Sequence, residues 1–205
     1  MPTRNDYPQY YDATEPGSFP HQRPLCHILA GTPCSLDVNS VNPLTLRLLM
    51  ARRGLEGLDQ RVSPANTSMM QLQLNLSLFF TGFCSALDRL AQEVALLFGQ
   101  TSARWQDAPG PIAERDPTLS AWLTGIHASF FAPAFAYRET FTHLGDIPAR
   151  FDETERRLRV TSQEGPLDTD AVQLCYLLMR NGLAVINGGY FLLLRRCEAG
   201  LPPWR

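Results

Sequence analysis

The sequence predicts an all-α fold: a bundle of four to five helices with a short hairpin-like excursion before the last helix. Helix start signals occur at Asn42-Pro43, Ser63-Pro64 and Asp116-Pro117, where a capping side chain precedes a proline whose fixed φ suits the first helical turn. Over residues 79–97, apolar side chains recur at helical spacing. The length of 205 residues, 44 % of them hydrophobic, suits one full-sized core plus a tail.

Composition divides the chain into two parts. Residues 1–24 are rich in Pro, Tyr and Asp without periodicity, and they predict a flexible N-terminal arm. Residues 25–205 are predicted to form the helical domain. Glycine, proline and asparagine in 25–41 indicate an irregular segment that lies on this domain.

The first two predicted helices form the longest part of the bundle. The first begins at Pro43 and is expected to end at Gly54 or Gly57. The second should run from the Ser63-Pro64 signal to Gly99, because glycine adopts the left-handed conformation that ends many helices. Its first turns alternate polar and apolar residues as a strand does, but nothing interrupts the segment, so we expect a helix there.

The middle of the chain contains two further helices and the excursion. Residues 100–115 predict a loop, after which Asp116 caps the third helix. Ala132-Pro133 must kink or restart that helix, because proline cannot donate a backbone hydrogen bond. The following helix should stop at Gly145, and the weak alternation over 151–165 predicts a short excursion or hairpin outside the bundle.

The last helix is expected to begin at a cap on Asp168 or Thr169 and to continue to about Cys197. Three of its residues are glycines, which permit another helix to approach closely. These are Gly182, Gly188 and Gly189.

The balance of charge excludes several classes of function. All 18 basic residues are arginines, and 20 acidic residues give a net charge of −2, so no global nucleic-acid or membrane surface is indicated. The absence of lysine from the sequence excludes Schiff-base chemistry and the lysine-containing phosphate loop.

Cysteine spacing and hydropathy bear on location. The five cysteines show neither a disulfide framework nor a metal-binding spacing, which predicts a reducing, cytoplasmic location and neither metal nor cofactor. The N terminus lacks an apolar signal segment, and polar residues or a proline interrupt the uncharged stretches 62–87 and 117–137. We therefore expect no membrane association.

One pair of residues is suited to chemistry: Arg138 and His143, near the end of a predicted helix. Histidine titrates near neutral pH, so it can accept or donate a proton in acid–base catalysis. Arginine presents a planar charged fork to phosphate oxygens. On an ideal helix these two side chains point about 140° apart, so a distorted last turn before Gly145 is needed to bring them together.

The Arg138-x4-His143 pattern resembles the Arg-x4-6-His signature of the HEPN superfamily, helical domains that include metal-independent ribonucleases and antiviral or toxin effectors. The upstream Ser-x-Leu-Asp segment at 85–88 and the final apolar helix are also similar, and the resemblance covers roughly residues 65–197. It implies a metal-independent endoribonuclease of a bacterial defence or toxin–antitoxin type system, with His143 as general acid or base and Arg138 as phosphate clamp. It also implies RNA as the substrate, a homodimer in which two motifs face each other, and a regulatory or antitoxin protein as a further partner.

One residue departs from the family pattern. Glu139 follows the arginine where the family usually has Asn, Asp or His, and it brings a negative charge close to the phosphate. We include it in the candidate catalytic set with the two residues of the motif. Three nearby arginines are candidate contacts to the RNA backbone, although neighbouring acidic residues nearly cancel their charge. These are Arg156, Arg157 and Arg159.

Simpler interpretations compete with catalysis. Arg138 also fits an ordinary surface arginine paired with a carboxylate, and His143 fits a favourable charge at a helix C-terminus. Asp88 either hydrogen-bonds Arg138 across the bundle or lies on a solvated face. His127, in an apolar run, fits a hydrogen-bonded core histidine better than a catalyst. The first alternative function is a catalytically inactive HEPN-like helical module that acts through protein–protein association, and the second is a helical pocket that binds a small molecule among the many phenylalanines.

Overall fold

Helices form most of the structure, and the predicted helical bundle with an excursion before the last helix is confirmed. The predicted arm at 1–24 and irregular segment at 25–41 lie outside the described residues. The computed structural model describes residues 43–61, 68–100, 104–144, 149–152, 154, 157–162 and 165–199. For some of these, including 59–61, 140–144 and 161–169 where described, it describes the backbone but not the side chains.

The described residues contain six α-helices, five of them ten residues or longer. They are α1 (Pro43–Arg61), α2 (Met69–Leu97), α3 (Pro109–Ala113), α4 (Pro117–Ile126), α5 (Ala132–Leu144) and α6 (Ala171–Glu198). A 3-10 turn, Trp105–Asp107, precedes α3. The prediction of a plain loop over 100–115 was therefore wrong, because this segment contains both the 3-10 turn and α3.

Glycines in α1 and α2 allow the two helix backbones to touch. A Cβ added to Gly54 would lie 2.5 Å from the carbonyl oxygen of Asn75, and one on Gly82 would lie 2.6 Å from the backbone nitrogen of Ala51. The predicted end of α1 at Gly54 or Gly57 was wrong, since the helix continues to Arg61. Gly54 thus provides space for α2 rather than a helix terminus.

Capping residues account for three of the described helix boundaries. Gly99, just past the end of α2, has φ +68° as predicted, and the Asp116 carboxylate accepts a backbone N–H from the first turn of α4. The cap of α6 is Asp170, so the expectation of Asp168 or Thr169 was wrong. The reason is that the preceding strand extends to Asp170 and carries the chain past both residues.

The restart expected at Ala132-Pro133 is confirmed. A π-helical turn, His127–Phe131, joins α4 to α5. The Ala132 N–H donates to the carbonyl oxygen of His127, which is the wider hydrogen-bond spacing of a π turn. The helix path therefore continues through Pro133 after a local widening that begins at His127.

The excursion before α6 is an antiparallel sheet of three strands in the order β1-β2-β3. The strands are β1 (Ala149–Asp152), β2 (Arg157–Ser162) and β3 (Gly165–Asp170). Leu158 and Val160 of β2 are fully buried. The predicted hairpin is thus confirmed, with one additional strand that leads directly into the cap of α6.

The core lies between α2 and the elements packed around it. It includes Phe79, Phe80 and Phe83 of α2 and Trp105, all with no exposed surface. The Phe79 and Phe83 rings stack at 5.6 Å between centroids. Aromatic side chains therefore pack together within a core that also contains many buried leucines and alanines.

Helix α6 packs closely against α2. A Cβ on Gly182 would overlap the Phe83 ring, and one on Gly189 would lie 3.2 Å from a methyl carbon of Leu90, so the predicted close approach is confirmed at these two glycines. It was wrong for Gly188, where a Cβ would meet nothing within 4 Å.

Of the described helices, α6 is long and apolar enough to cross a membrane on length and composition alone. Within its most apolar stretch, 56 % of the residues are buried inside the protein. A core helix of a folded domain meets the same criterion. The contacts of α6 with α2 account for its apolar composition.

Candidate active site

Arg138 is joined across the bundle to Asp88 of α2. The Nη1 atom of Arg138 donates to Oδ2 of Asp88 at 2.5 Å. Only 17 % of the Arg138 side chain and 12 % of the Asp88 side chain are exposed. Of the two alternatives for Asp88, the hydrogen bond to Arg138 is confirmed and the solvated face is wrong.

Asp88 is held through both of its carboxylate oxygens. Its Oδ1 atom accepts the backbone N–H of Trp105 at 2.7 Å. Trp105 is itself buried, and its indole Nε1 donates to the carbonyl oxygen of Leu123 at 3.0 Å. A carboxylate fixed in this way positions the arginine that it pairs with, because neither oxygen can turn without losing a hydrogen bond.

A second contact holds Arg138 from its own helix. The guanidinium carbon of Arg138 lies 4.8 Å from the centre of the Phe135 ring, within the range of a cation–π interaction. Phe135 and Arg138, which are three residues apart on one face of α5, thus contact each other. Arg138 is a positioned, partly buried cation rather than a solvated surface arginine.

The other two residues of the candidate catalytic set also belong to α5. Glu139 is exposed, next to Arg138 in the chain. His143 lies in the last turn of α5, and its side chain is outside the described part of the structure. That Arg138 and His143 converge in one cleft therefore stays a prediction.

The candidate RNA-contacting arginines belong to the excursion. Arg156 lies outside the described residues, and Arg157 begins β2 with its side chain outside them. Arg159 lies between the buried Leu158 and Val160 of β2, so it is on the opposite face of the strand from these core residues.

His127 lies near Arg138, at the start of the π turn. It was expected to be a hydrogen-bonded core histidine; the hydrogen-bonding contact is confirmed, whereas the core position is wrong because the side chain is partly exposed. Its Nε2 atom lies 3.3 Å from Nε2 of Gln106, and its ring centre is 5.3 Å from that of Phe135. Burial lowers the pKa of His127, and the nearby Asp88 carboxylate acts in the opposite direction.

His127 and Arg138 therefore share a neighbour on α5 and a charge on α2. Both contact Phe135, and Asp88 pairs with Arg138 while acting electrostatically on His127. The sequence analysis did not anticipate the π turn that begins at His127, and such turns often occur at functional positions. Its location could not be read from an apolar run of sequence.

A second buried polar cluster is built around Glu93 of α2. Its carboxylate accepts the Tyr190 hydroxyl at 2.8 Å and Nε of Arg89 at 3.2 Å. Burial raises the pKa of Glu93, and the two hydrogen-bonding partners act to lower it. These contacts join α2 to α6 inside the bundle, so we assign this cluster to the core.

Other chemically reactive groups among the described residues are unsuited to catalysis. Burial raises the pKa of the Cys84 thiol and of the Cys175 thiol, so neither is a thiolate at neutral pH. Within the described part of the chain, no group of three or more His, Cys, Asp or Glu side chains could hold a metal ion.

The candidate site of the described residues thus contains one positioned cation, the carboxylate that pairs with this cation, and one partly exposed imidazole. Such groups can bind a phosphate and transfer a proton. Comparison with protein-family models, with curated proteins and with solved structures found no significant match to this chain.

Proposed function

We propose that this protein is a metal-independent endoribonuclease of a bacterial defence or toxin–antitoxin type system, located in the cytoplasm, with RNA as its substrate. The observation that carries the proposal is the Asp88–Arg138 ion pair. It links the Ser-x-Leu-Asp segment of α2 to the arginine of the Arg-x4-His motif. Two separate parts of the predicted HEPN signature therefore meet at one place.

Arg138 would bind the scissile phosphate. Its guanidinium is fixed by Asp88 and Phe135, and a positioned cation stabilises developing phosphate charge without having to reorganise. His143, five residues later on α5, would supply acid or base catalysis, because its ordinary pKa is close to neutral pH. The reaction would transfer phosphorus to the ribose 2′-oxygen and leave a 2′,3′-cyclic phosphate.

The local charge favours a homodimer. Asp88 offsets the charge of Arg138, and the exposed Glu139 adds a negative charge beside it, so a single site attracts a polyanion weakly. A two-fold contact along α5 would place two arginines around one groove. The side chain of Phe130, 47 % exposed in the preceding π turn, offers apolar surface for such a contact.

Substitutions at the motif test the proposal. Arg138→Ala and His143→Ala should each reduce cleavage of a mixed RNA substrate by at least about 100-fold, as expected for the loss of a phosphate clamp or a proton-transfer group. Arg180→Ala is the matched control, since Arg180 is an exposed arginine on α6. It should cleave RNA like the wild type.

A loss of activity must be separated from a loss of fold. Arg138→Ala leaves the Asp88 carboxylate without its cation, so the double variant Asp88→Asn, Arg138→Ala is included to remove the uncompensated charge. We expect this double variant to keep the wild-type circular dichroism spectrum and to remain inactive. A folded double variant that cleaves RNA at the wild-type rate would exclude Arg138 as the phosphate clamp.

A catalytically inactive module that acts through protein association is the second candidate. Exposed apolar side chains on the first two helices favour it: Leu46 is 50 %, Leu74 is 58 % and Met70 is 81 % exposed. Isolated exposed apolar residues are common on protein surfaces, so this observation carries less weight than the ion pair. Absence of RNA cleavage by the wild-type protein, together with its co-purification with a specific protein, would favour this alternative.

A further inference from the structure

Cleavage of RNA through the 2′-hydroxyl needs two proton transfers. One group removes the proton of the 2′-hydroxyl, and another protonates the departing 5′-oxygen. The Arg-x4-His motif of one chain supplies a single histidine. A second imidazole near Arg138 would complete the set, and His127 is partly exposed beside the same phenyl ring as Arg138.

We propose that His127 is the general base of this site, a second catalytic residue that accepts the proton of the 2′-hydroxyl while His143 protonates the leaving group. The inference rests on the proposed ribonuclease activity and assigns a residue that the Arg-x4-His motif does not contain.

His127 and Arg138 contact the same aromatic ring. The centre of the Phe135 ring lies 5.3 Å from the centre of the His127 ring and 4.8 Å from the guanidinium carbon of Arg138. A phosphate bound by Arg138 would therefore lie close enough for an adjacent ribose to reach His127. Both side chains keep some exposed surface, so a substrate can approach them from solvent.

His127 is held by a side chain of the 3-10 turn that precedes α3. The π turn begins at His127, and Nε2 of the ring lies 3.3 Å from the side-chain amide nitrogen of Gln106. When the ring is neutral with its proton on Nδ1, the Gln106 amide donates to the lone pair of Nε2, and the substrate hydroxyl must replace this amide before Nε2 can accept a proton. Gln106 is carried by the 3-10 turn next to Trp105, whose backbone N–H binds Asp88. One turn of the chain thus positions both the base and the carboxylate.

The surroundings of His127 also affect its protonation. Burial lowers the pKa of His127, which keeps the ring neutral and able to accept a proton at neutral pH. Two polar groups from other elements act on it, the Asp88 carboxylate of α2 and the Gln106 amide of the 3-10 turn. The Arg138 guanidinium of α5 contacts the same phenyl ring. Asp88 would stabilise the imidazolium once the proton has been transferred.

The cleavage reaction needs no co-reactant. The 2′-oxygen forms a bond to phosphorus as its proton moves to His127, and the bond between phosphorus and the 5′-oxygen breaks. The 5′-oxygen takes a proton from His143, and the products are a 2′,3′-cyclic phosphate and a 5′-hydroxyl. Arg138 stabilises the charge on the non-bridging oxygens throughout.

The first test is the pH dependence of kcat/KM for RNA cleavage by the full chain. His127→Ala should lower kcat/KM by about 10²–10⁴-fold and remove the acidic limb of the profile. Gln106→Glu, which retains His127, should move that limb to higher pH, because a carboxylate raises the pKa of a neighbouring imidazole. Should His127→Ala fail to fold, the shift in Gln106→Glu still decides. An acidic limb unchanged in Gln106→Glu would overturn the proposal.

The second test assigns the direction of proton transfer. A substrate with sulfur in place of the bridging 5′-oxygen has a leaving group that needs no acid. We expect it to restore cleavage by His143→Ala but not by His127→Ala. Recovery of His127→Ala on this substrate would overturn the assignment of His127 as the base.

The two proposals fail in different ways. If the wild-type protein cleaves RNA and His127→Ala cleaves it equally well, only the inference about His127 is wrong. If the wild-type protein does not cleave RNA in any condition, the proposed function and the inference about His127 are both wrong.

Discussion

The Asp88–Arg138 pair makes a quantitative prediction about stability. Their side chains are 12 % and 17 % exposed, and the donor–acceptor distance is 2.5 Å. Fully exposed pairs stabilise proteins by about 0–1 kcal/mol, whereas breaking a fully buried pair costs about 3–5 kcal/mol. We therefore expect a coupling free energy of about 2 kcal/mol, between these limits.

A double-mutant cycle with Asp88→Asn and Arg138→Gln measures this coupling. Asparagine keeps a side-chain oxygen that can accept the backbone N–H of Trp105, so the substitution removes mainly the charge. Each single variant should lose about 2–3 kcal/mol of unfolding free energy, since each leaves a partly buried charge without its partner. The double variant should lose about 2 kcal/mol less than the sum of the two.

The assay is urea unfolding followed by tryptophan fluorescence and by circular dichroism, at the same pH and salt for all four proteins. Coincident curves from the two probes would justify a two-state analysis. A coupling below about 0.5 kcal/mol would mean that the pair behaves as a solvated surface contact. That result would refute the argument that Asp88 positions Arg138.

Two further predictions concern the packing of α2. Gly54→Ala should lower the unfolding free energy by about 1–3 kcal/mol because its methyl group would press on the α2 backbone. The control is Gly188→Ala, whose methyl group would meet nothing within 4 Å; it should be neutral or stabilise the protein by up to about 1 kcal/mol. Thermal unfolding measures both effects. Because burial raises the pKa of Glu93 in the folded state, its ionisation opposes folding as pH rises above about 4.5, the usual range for a glutamate. Glu93→Gln should therefore gain stability relative to the wild type as pH rises from 4 to 8, and a difference independent of pH would contradict this.

Local signals in the sequence were enough to predict the helical architecture. Asp116 caps α4 and Gly99 follows the end of α2 in the left-handed conformation, because both effects involve only the residues next to them. Gly54 was misread, since the reason for a glycine there is the backbone of α2, more than 20 residues away. The sequence shows that the residue is small but not what it contacts.

The candidate site was predictable only in part for the same physical reason. The pairing of Asp88 with Arg138 was one of two alternatives, and the choice depended on how two helices pack together around residues that are 50 positions apart in the chain. His127 was assigned to the core because its neighbours in sequence are apolar. The π turn changes which side of the helix faces solvent, and no local pattern marked its position.

The measurement that tests the central claim most directly is the incubation of purified wild-type protein with mixed RNA in the presence of EDTA, followed by analysis of the product ends. We predict cleavage that leaves 2′,3′-cyclic phosphate and 5′-hydroxyl ends, because proton transfer by histidine and phosphate binding by Arg138 require no metal ion. The His143→Ala protein, prepared in the same way, is the control for contaminating nucleases. Intact RNA after incubation with the wild-type protein, or cleavage that appears only when Mg²⁺ is added, would contradict the account.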